Sequence, residues 1–329
     1  MIKVAQIGVG YWGPNILRNL VANDKFEVVA VADLSVERGN YVKSLYPEIE
    51  FYLDPLKIFN NKTINAIVIA TPVHTHFELS MLALKAGKHI LVEKPMAMNC
   101  DEIDQISALS EKNKLIAMVG HIFLFNNAVK YVKNLIDDGT IGDIRYIYSQ
   151  RLNLGRIRND IDALWNLAPH DISIVQYWLN NMNPINIKKT GMDYVQDGIH
   201  DVVFLNLEYP KKIFVNIHVS WLDPHKIRKM TIVGTKKMIV YDDISENKIC
   251  VYDKGIDRMA VLGQNMDFDL PNAQSFNYRS GDIIMPKIEW IEPLKTEIHH
   301  FYECIKGNKD CLTGPEHASA VVNILENAK

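Results

Sequence analysis

Three glycines near the start of the chain have the spacing of a phosphate-binding turn. Gly8-Val9-Gly10-Tyr11-Trp12-Gly13 directly follows Ile2–Ile7, a short apolar run that is typical of a buried parallel strand. In such a turn the first glycine permits the tight backbone, the second leaves room for a pyrophosphate, and the third lets the next helix pack closely. The amphipathic stretch from Asn15 to Val21 would then present the free N–H groups of a helix N-terminus to the phosphates.

An acidic residue, Asp33, ends the second predicted strand, Glu27–Ala32, twenty residues after Gly13. A carboxylate at this spacing accepts hydrogen bonds from an adenosine ribose, which favours NAD over NADP. Arg38 would soften the repulsion of a 2′-phosphate, so NADP stays an alternative. The other interpretation of Asp33 is an N-cap for the predicted helix Ser35–Leu45.

Polar residues follow three more predicted strands. They are Thr71-Pro72-Val73-His74-Thr75-His76 after Ala66–Ala70, Glu93-Lys94-Pro95 after His89–Val92, and Gly120-His121 after Leu115–Val119. Because parallel strands end at one edge of a sheet, we expect these side chains to meet in the cofactor crevice. Lys94 there would hydrogen-bond a substrate hydroxyl and favour the developing alkoxide, and Pro95 is a candidate cis proline. The alternative is a surface lysine paired with Glu93.

A second cluster is Trp165-Asn166-Leu167-Ala168-Pro169-His170-Asp171. His170 is the best general base, because imidazole titrates near working pH. Asn166, four residues earlier, shares its face if this segment is helical and would orient His170 or bind a substrate hydroxyl. Pro169 disfavours helix before it and suits a first helical turn. The alternatives are an N-cap role for Asn166 and a packed core histidine.

Arginines and an asparagine lie between these two clusters. Arg151 and Asn153 share a strand face and, with Arg156, could grip a diphosphate or sugar hydroxyls. An ordinary solvated charged loop is equally compatible with them. We expect no metal, because the spacing of the histidines at 74, 76, 299 and 300 forms no ligand set.

Composition excludes several classes of function. The chain has 329 residues and a net charge of −3, which gives no reason to expect a nucleic acid or an anionic membrane as partner. No apolar run approaches the roughly 20 residues of a membrane span, and no secretion leader precedes the first strand. The cysteines Cys100, Cys250, Cys304 and Cys311 lack a C-x-x-C spacing and indicate reduced thiols in a cytoplasm.

The hydrophobic period predicts two domains. From residue 1 to 122, strands alternate with helices, as in a doubly wound Rossmann domain with a parallel sheet. From 123 to 329, longer strands with alternating faces predict an α/β substrate domain on a large, mostly antiparallel sheet. In this part Ile213–Trp221 has one apolar face, whereas Lys254–Ser280 is expected to be irregular surface structure. Asp101 is the predicted cap of the helix 101–113.

Taken together, these motifs resemble the Gfo/Idh/MocA oxidoreductases over essentially the whole chain. The resemblance implies a Rossmann domain followed by an open-faced sheet, tight binding of NAD(P), hydride transfer at a sugar or cyclitol carbon, and dimers or tetramers formed through the open sheet. It maps the family's lysine to Lys94 and its histidine to His170, whereas Asn166 stands where aspartate is common. The segments 151–156 and 164–171 look like members acting on nucleotide-linked sugars.

The leading hypothesis is an NAD-dependent dehydrogenase or ketoreductase for a sugar, in particular a nucleotide-linked one such as a UDP-N-acetylhexosamine. An inositol or free-sugar dehydrogenase is a close alternative. A second class is an NAD-dependent glycosidase that oxidises C3 transiently and accumulates no NADH. A third class is a non-catalytic NAD-binding regulatory protein, against which the presence of Lys94 and His170 weighs.

Overall fold

The computed structural model describes residues 1–155, 157–258 and 276–328. The described residues form two compact units, neither of which is continuous in sequence. The first comprises Met1–Asn126, Ile172–Met182 and Trp290–Asn327, and the second chiefly Asn127–Asp171 and Asn183–Glu289. The division into continuous domains 1–122 and 123–329 stays a prediction.

The first unit is built on a six-stranded parallel sheet, as the sequence predicts. Its strands are β1 (Ile2–Ile7), β2 (Phe26–Ala32), β3 (Glu50–Tyr52), β4 (Ala66–Ile69), β5 (His89–Glu93) and β6 (Ala117–Gly120). The order β3-β2-β1-β4-β5-β6 reverses direction between β1 and β4, which makes the sheet doubly wound. β4 reads Ala-Ile-Val-Ile and is buried at every residue, as a strand covered on both faces must be.

Helices connect these strands. They are α1 (Gly13–Val21), α2 (Val36–Leu45), α3 (Leu56–Asn60), α4 (His76–Lys85) and α5 (Cys100–Lys112). The prediction that Asp101 caps α5 is wrong: Asn99 is the cap, and its side chain accepts a hydrogen bond from the Glu102 N–H at 2.9 Å. Asparagine is as good an N-cap as aspartate, and Asn99 is the residue with extended backbone.

The second unit is built on an eight-stranded sheet. Its strands are β7 (Ile144–Leu154), β8 (Asn186–Met192), β9 (Val202–Tyr209), β10 (Ile213–Ser220), β11 (Leu222–Gly234), β12 (Met238–Asp242), β13 (Ile249–Arg258) and β14 (Phe276–Ile284). The order is β14-β13-β12-β11-β7-β10-β9-β8, and β7 and β10 are the parallel pair in a sheet that is otherwise antiparallel. The mostly antiparallel sheet of the prediction is therefore confirmed.

One face of this sheet is packed and the other is open. In β10, Val215, Ile217 and Val219 are buried, whereas Phe214 is 41% exposed, so the predicted alternation is confirmed. On the open face the Phe204 ring stacks on His218 with centroids 4.1 Å apart. An exposed aromatic face of this kind is typical of a surface that packs against another protein.

The prediction of irregular structure for Lys254–Ser280 is wrong at both ends of that stretch. Lys254 pairs with Ser280, and Ile256 pairs with Tyr278, in the β13–β14 ladder. Backbone hydrogen bonds hold this edge pair, so burial imposes no apolar alternation that the sequence could display. Residues 259–275 of the stretch lie outside the described part of the chain.

Two helices belong wholly or partly to the second unit, α6 (Asn127–Asp137) and α7 (Ala163–Trp178). The side chain of Asp162 accepts the Trp165 N–H at 2.9 Å, which satisfies a free donor at the start of α7. Pro169 lies inside α7, so the expectation that it suits a first helical turn is wrong. The helix has already begun at Ala163, and Pro169 removes one internal N–H donor without ending it.

The last two helices, α8 (Pro293–Ile305) and α9 (Pro315–Glu326), pack in the first unit. Phe301 of α8 stacks on Phe26 of β2 with ring centroids 6.2 Å apart. Leu294 and Ile298 enter the same core. None of the helices in the described ranges combines the length and apolarity needed to cross a membrane.

Candidate active site

The glycine turn has the geometry that its three roles require. Gly8 has φ of +95°, and a Cβ there would lie 2.4 Å from the Ala70 carbonyl oxygen. A Cβ on Gly13 would lie 2.5 Å from the Gly8 oxygen, so α1 approaches the strand too closely for a side chain. A Cβ on Gly10, by contrast, would meet no atom of the described residues within 4 Å, its chain neighbours apart. The turn is therefore tight at its ends and open at its middle, where a pyrophosphate would approach.

Gln6, which no sequence motif singled out, holds this turn in place through side-chain hydrogen bonds. Its buried side-chain Nε2 donates to the carbonyl oxygens of Gly8 at 2.8 Å and Gly13 at 2.9 Å. These two bonds join the end of β1 to the start of α1. A polar residue near the end of a mostly apolar strand was the available signal, because a buried amide needs partners.

Asp33 follows β2 and faces the glycine turn. Its Oδ2 accepts the Val9 N–H at 2.7 Å and its Oδ1 accepts the Ser35 N–H at 2.9 Å. The alternative N-cap role belongs to Ser35, whose hydroxyl accepts the Arg38 N–H at 3.3 Å. An ionised carboxylate has about four acceptor positions, so Asp33 keeps capacity for ribose hydroxyls, and Arg38 is exposed on α2.

His76 links the segment that follows β4 to the segment that follows β5. Its Nδ1 lies 2.8 Å from the Pro95 oxygen and its Nε2 lies 2.8 Å from the Thr71 oxygen. Burial lowers the pKa of His76, and a neutral ring donates to one of these carbonyls at a time. The geometry of His76 is that of a positioning residue, whereas Pro72 and His74 are exposed.

The Glu93-Lys94-Pro95 segment follows β5, and the Lys94–Pro95 peptide bond is cis, as predicted. The Glu93 carboxylate accepts the Lys94 backbone N–H at 3.1 Å, and Trp12 of the glycine turn lies near enough to lower its pKa. Burial raises the pKa of Glu93 to about 7, against the opposing effect of the Lys94 charge. The glycine turn and the Lys94 segment are thus neighbours in the first unit.

A second buried carboxyl group, on Glu297 of α8, went unnoticed in the sequence. Burial raises the pKa of Glu297 well above its ordinary value, and the nearby Glu93 raises it further. Two carboxyl groups in one apolar setting favour protonation of at least one of them. The pair Glu93 and Glu297 therefore binds a proton more tightly than two exposed glutamates would.

His121 lies just after β6 and is 2% exposed. Its ring meets His317 edge to face, with centroids 5.1 Å apart. Burial lowers the pKa of His121 well below its ordinary value, and the charges of His317 and Lys94 act in the same direction. The ring is therefore neutral and enclosed, and the substrate contact expected of His121 stays a prediction.

In the second unit, α7 carries the other candidate catalytic residues. Asn166 and His170 are both half-buried and lie four residues apart, on one face of the helix. The Trp221 indole donates to Asn166 Oδ1 at 3.4 Å, which fixes the amide rotamer. Asn166 is inside the helix and does not cap it. The predicted face is thus present, and Trp165 beside it is half-buried.

Arg151 differs from its expected role. Its Nε and Nη2 donate to the two carboxylate oxygens of Asp171 at 3.0 and 2.9 Å, and both side chains are buried. A guanidinium whose bidentate edge is filled is not offered to a diphosphate, and it instead fixes the residue next to His170. Asn153 is exposed on β7, and Arg156 lies outside the described residues.

The doubly wound sheet, its glycine turn and Asp33 define a dinucleotide-binding protein. Residues 2–121 match the family model of the Gfo/Idh/MocA oxidoreductases, described as an NAD-binding Rossmann fold. Residues 129–240 match the model of the Gfo/Idh/MocA C-terminal domain. The chain belongs to the Gfo/Idh/MocA family, and the expectation of a nicotinamide cofactor is confirmed.

Three similar proteins show the range of this family. An uncharacterised oxidoreductase of Streptococcus pneumoniae is 27% identical over 65% of the chain and 61% of its own length. A 2,7-anhydro-N-acetylneuraminate hydratase of Mediterraneibacter gnavus is 27% identical over 73% of the chain and 67% of its own length. A UDP-N-acetylglucosamine 3-dehydrogenase of Acidithiobacillus ferrooxidans is 24% identical, with 77% of the chain and 78% of that protein aligned. The solved structure of that dehydrogenase superposes with a TM-score of 0.79 over 99% of the chain and 96% of its own, at 21% identity.

Proposed function

We propose that the protein is an NAD-dependent dehydrogenase or ketoreductase that transfers hydride between the nicotinamide and a sugar carbon. The substrate that we propose is a nucleotide-linked sugar such as a UDP-N-acetylhexosamine. The observation that carries the proposal is the His76 ring, which lies 2.8 Å from both the Thr71 and the Pro95 oxygens, because Thr71 abuts Gly8 of the phosphate turn and Pro95 follows Lys94. A cationic residue held beside the cofactor site suits a reaction in which negative charge develops on oxygen.

In the proposed reaction each of two residues has one task. Lys94 donates a hydrogen bond to the substrate oxygen and stabilises it as an alkoxide, while His170 accepts the hydroxyl proton. A nicotinamide bound at the glycine turn would supply the hydride acceptor for this carbon. Asn166 is uncharged. It would orient His170 or bind a substrate hydroxyl without placing a negative charge beside the imidazole. Electrons and protons balance, because one hydride and one proton leave each alcohol.

The cofactor preference that we propose is NAD, with NADP as the weaker alternative. Support comes from Asp33, whose carboxylate is fixed by the N–H groups of Val9 and Ser35 and keeps free acceptor positions. A phosphate on the ribose would approach this negative charge. Arg38, exposed on the following helix, is the residue that offsets part of the repulsion.

The nucleotide-sugar substrate is supported by the similarity to the UDP-N-acetylglucosamine 3-dehydrogenase. Of the predicted substrate residues, Asn153 is exposed on β7 and Trp165 is half-buried, so both remain proposed contacts. Arg151 contributes through Asp171 and the placement of His170. His121 packs against His317, and its contact with the substrate stays a prediction.

The setting that we propose is a homodimer or homotetramer in the cytoplasm. The open face of the second sheet carries Tyr146 and Tyr148, 41% and 39% exposed, next to Phe204 and Phe214. Burying such a face on a second copy removes apolar surface from water. The four cysteines are free thiols, which suits a reducing compartment.

The test is a panel of UDP-, dTDP- and GDP-sugars with inositols, followed by absorbance of reduced cofactor with NAD and NADP in parallel. Steady NADH formation with one UDP-N-acetylhexosamine and little with inositols would support the proposal. Turnover of inositols or free sugars alone would leave a dehydrogenase with another substrate. Absence of any reduced cofactor across the panel would count against a net oxidation.

A second candidate is a redox-neutral reaction in which the sugar is oxidised transiently and the cofactor is regenerated. The observation that favours it is the similarity to a 2,7-anhydro-N-acetylneuraminate hydratase, since a hydratase adds water without net oxidation. The distinguishing measurement is mass spectrometry of the product beside cofactor absorbance. Product without accumulated NADH would favour this candidate.

A further inference from the structure

Three soft-metal ligands converge in the first unit at a place outside the ranges that match the family models. They are His300 and Cys304 of α8 and Cys311, which lies between α8 and α9. One ligand atom of each residue lies within 4.8 Å of the other two. We propose that this cluster binds Zn²⁺, although the sequence spacing led us to expect no metal. The proposal is independent of the dehydrogenase function.

The distances suit a tetrahedral ion. Zn–S bonds of about 2.3 Å and Zn–N bonds of about 2.05 Å set ligand separations of about 3.6 Å for S···N and about 3.8 Å for S···S. The His300 Nε2 lies 3.3 Å from the Cys304 Sγ, and no pair in the cluster exceeds 4.8 Å. Shifts of less than about 1 Å would therefore close the coordination shell around the ion.

Local backbone geometry brings the three residues together. His300 and Cys304 are four residues apart in α8, so their side chains project from one face. Gly307, with φ of +74°, turns the chain just after the helix, and the Asn308 N–H bonds back to the Glu303 oxygen. The chain thereby returns Cys311 to the helix that carries the other two ligands.

The segment that carries Cys311 and Thr313 is held against β6, the edge strand of the parallel sheet. The Val119 N–H of β6 donates to the Thr313 oxygen at 2.8 Å, and the Cys311 Sγ lies 4.0 Å from the Ala117 oxygen. The Phe125 ring lies 5.2 Å from the His300 ring and limits its rotation. An ion here would tie α8 to the connection that leads to α9, and the Thr313 bond would link that connection to β6.

The protonation of the imidazole is compatible with metal binding. The Leu312 N–H donates to His300 Nε2 at 3.0 Å, so this nitrogen carries a lone pair and its proton lies on Nδ1. The ion would take that lone pair at the expense of the Leu312 bond. Two thiolates would neutralise the double charge, and a water molecule would complete the fourth position.

Zn²⁺ is favoured over a disulfide by the third residue. A Cys304–Cys311 disulfide would need no imidazole, yet the His300 nitrogen lies within 3.3 Å of one sulfur. Both cysteines are free thiols. Two thiolates with one imidazole form a donor set that zinc prefers over magnesium or calcium.

The experiment uses the full chain purified under reducing conditions, stripped with a chelator and returned to ZnCl₂. We expect about one zinc per chain by elemental mass spectrometry after desalting. Co²⁺ in place of zinc should give thiolate charge-transfer absorption in the near ultraviolet. His300→Gln and Cys311→Ser should each weaken zinc retention against a chelator at least about tenfold.

Matched control variants distinguish this site from nonspecific zinc binding. His299→Gln removes the neighbouring helix histidine, which pairs with Glu303, and Cys250→Ser removes a cysteine of the second unit. Both should retain zinc like the wild type. Equal loss in His299→Gln and His300→Gln, or no thiolate absorption with Co²⁺ in the wild type, would overturn the proposal. So would a Cys304–Cys311 disulfide in the native protein with no zinc bound after reduction. The cobalt spectrum of the wild type decides the matter even if a variant does not fold.

Discussion

Gln6 and Gly13 are joined by a buried hydrogen bond of 2.9 Å, and the same amide nitrogen reaches the Gly8 oxygen. We predict that Gln6→Leu weakens NAD binding about tenfold, because the glycine turn loses its support from β1 and two buried carbonyls lose a donor. The protein should also lose about 1–3 kcal/mol of stability. Calorimetric titration with NAD and urea unfolding measure the two effects. Gln105→Leu, on the exposed face of α5, is the control; wild-type affinity in Gln6→Leu would contradict this account.

Lys94 is predicted to act in the chemical step. With a substrate from the panel, Lys94→Met should lower kcat by about 10²–10³-fold, because the charge that favours the alkoxide is lost. The dissociation constant of NAD should change by less than about threefold, since the glycine turn is untouched. Lys85→Met, which alters an exposed lysine at the end of α4, is the control. Turnover equal to that of the wild type would remove Lys94 from the mechanism.

The Arg151–Asp171 pair gives a prediction for stability. Asp171→Asn should cost about 3–5 kcal/mol of unfolding free energy, because it leaves a buried guanidinium without its carboxylate. The exposed pair Arg158–Asp160 is the matched control, and Asp160→Asn should cost less than about 1 kcal/mol. Chemical unfolding of both variants makes the comparison. Similar losses in the two would show that burial does not distinguish the pairs.

The pKa of Glu93 predicts a pH dependence of stability. Folding raises this pKa from 4.5 to about 7, so the folded chain holds the proton more tightly than the unfolded chain. The resulting contribution is complete below about pH 4.5 and is lost as the pH rises through about 7, on the order of 3 kcal/mol in all. Glu93→Gln has no carboxyl group to titrate. The decline in its unfolding free energy between pH 5 and pH 8 should therefore be flatter than that of the wild type.

The measurement is urea unfolding at several pH values for the wild type, Glu93→Gln and Glu37→Gln. Glu37 is exposed at the start of α2, so its variant should follow the wild-type profile. A Glu93→Gln profile parallel to the wild type would mean that other groups set the slope. Glu297, buried nearby, is the first of those to substitute.

The open face of the second sheet predicts the assembly state. Tyr148, in the middle of β7 and 39% exposed, should become a source of repulsion in Tyr148→Glu, because a carboxylate buried between two copies has no partner. We expect sedimentation to show a shift toward the monomer. Leu56→Glu, at an exposed apolar position of the first unit, should leave the assembly unchanged. An unshifted Tyr148→Glu would place the interface elsewhere.

The features that could be predicted from the sequence are those carried by neighbouring residues. β1, the glycine turn and α1 follow one another within 21 residues, and each demands a residue type that the chain shows. The cis bond before Pro95 was expected for the same reason, since proline makes that isomer accessible. The edge strands β8 and β14, and β13 beside β14, were missed because strands at or next to a sheet edge bury too little to impose a pattern.

Sequence alone indicated the family through the resemblance of its motifs, and the glycine turn with Asp33 indicated the cofactor class. Local motifs also identified the candidate residues Lys94 and His170, and the hydrophobic period predicted the two sheets. Tertiary structure decided which partner each polar group takes. In the fold, Arg151 forms an ion pair with Asp171, and Glu297 lies near Glu93. Cys311 lies beside His300 and Cys304. These pairings join residues that packing, and no local rule of propensity, brings together, so they depend on where whole helices and strands come to rest.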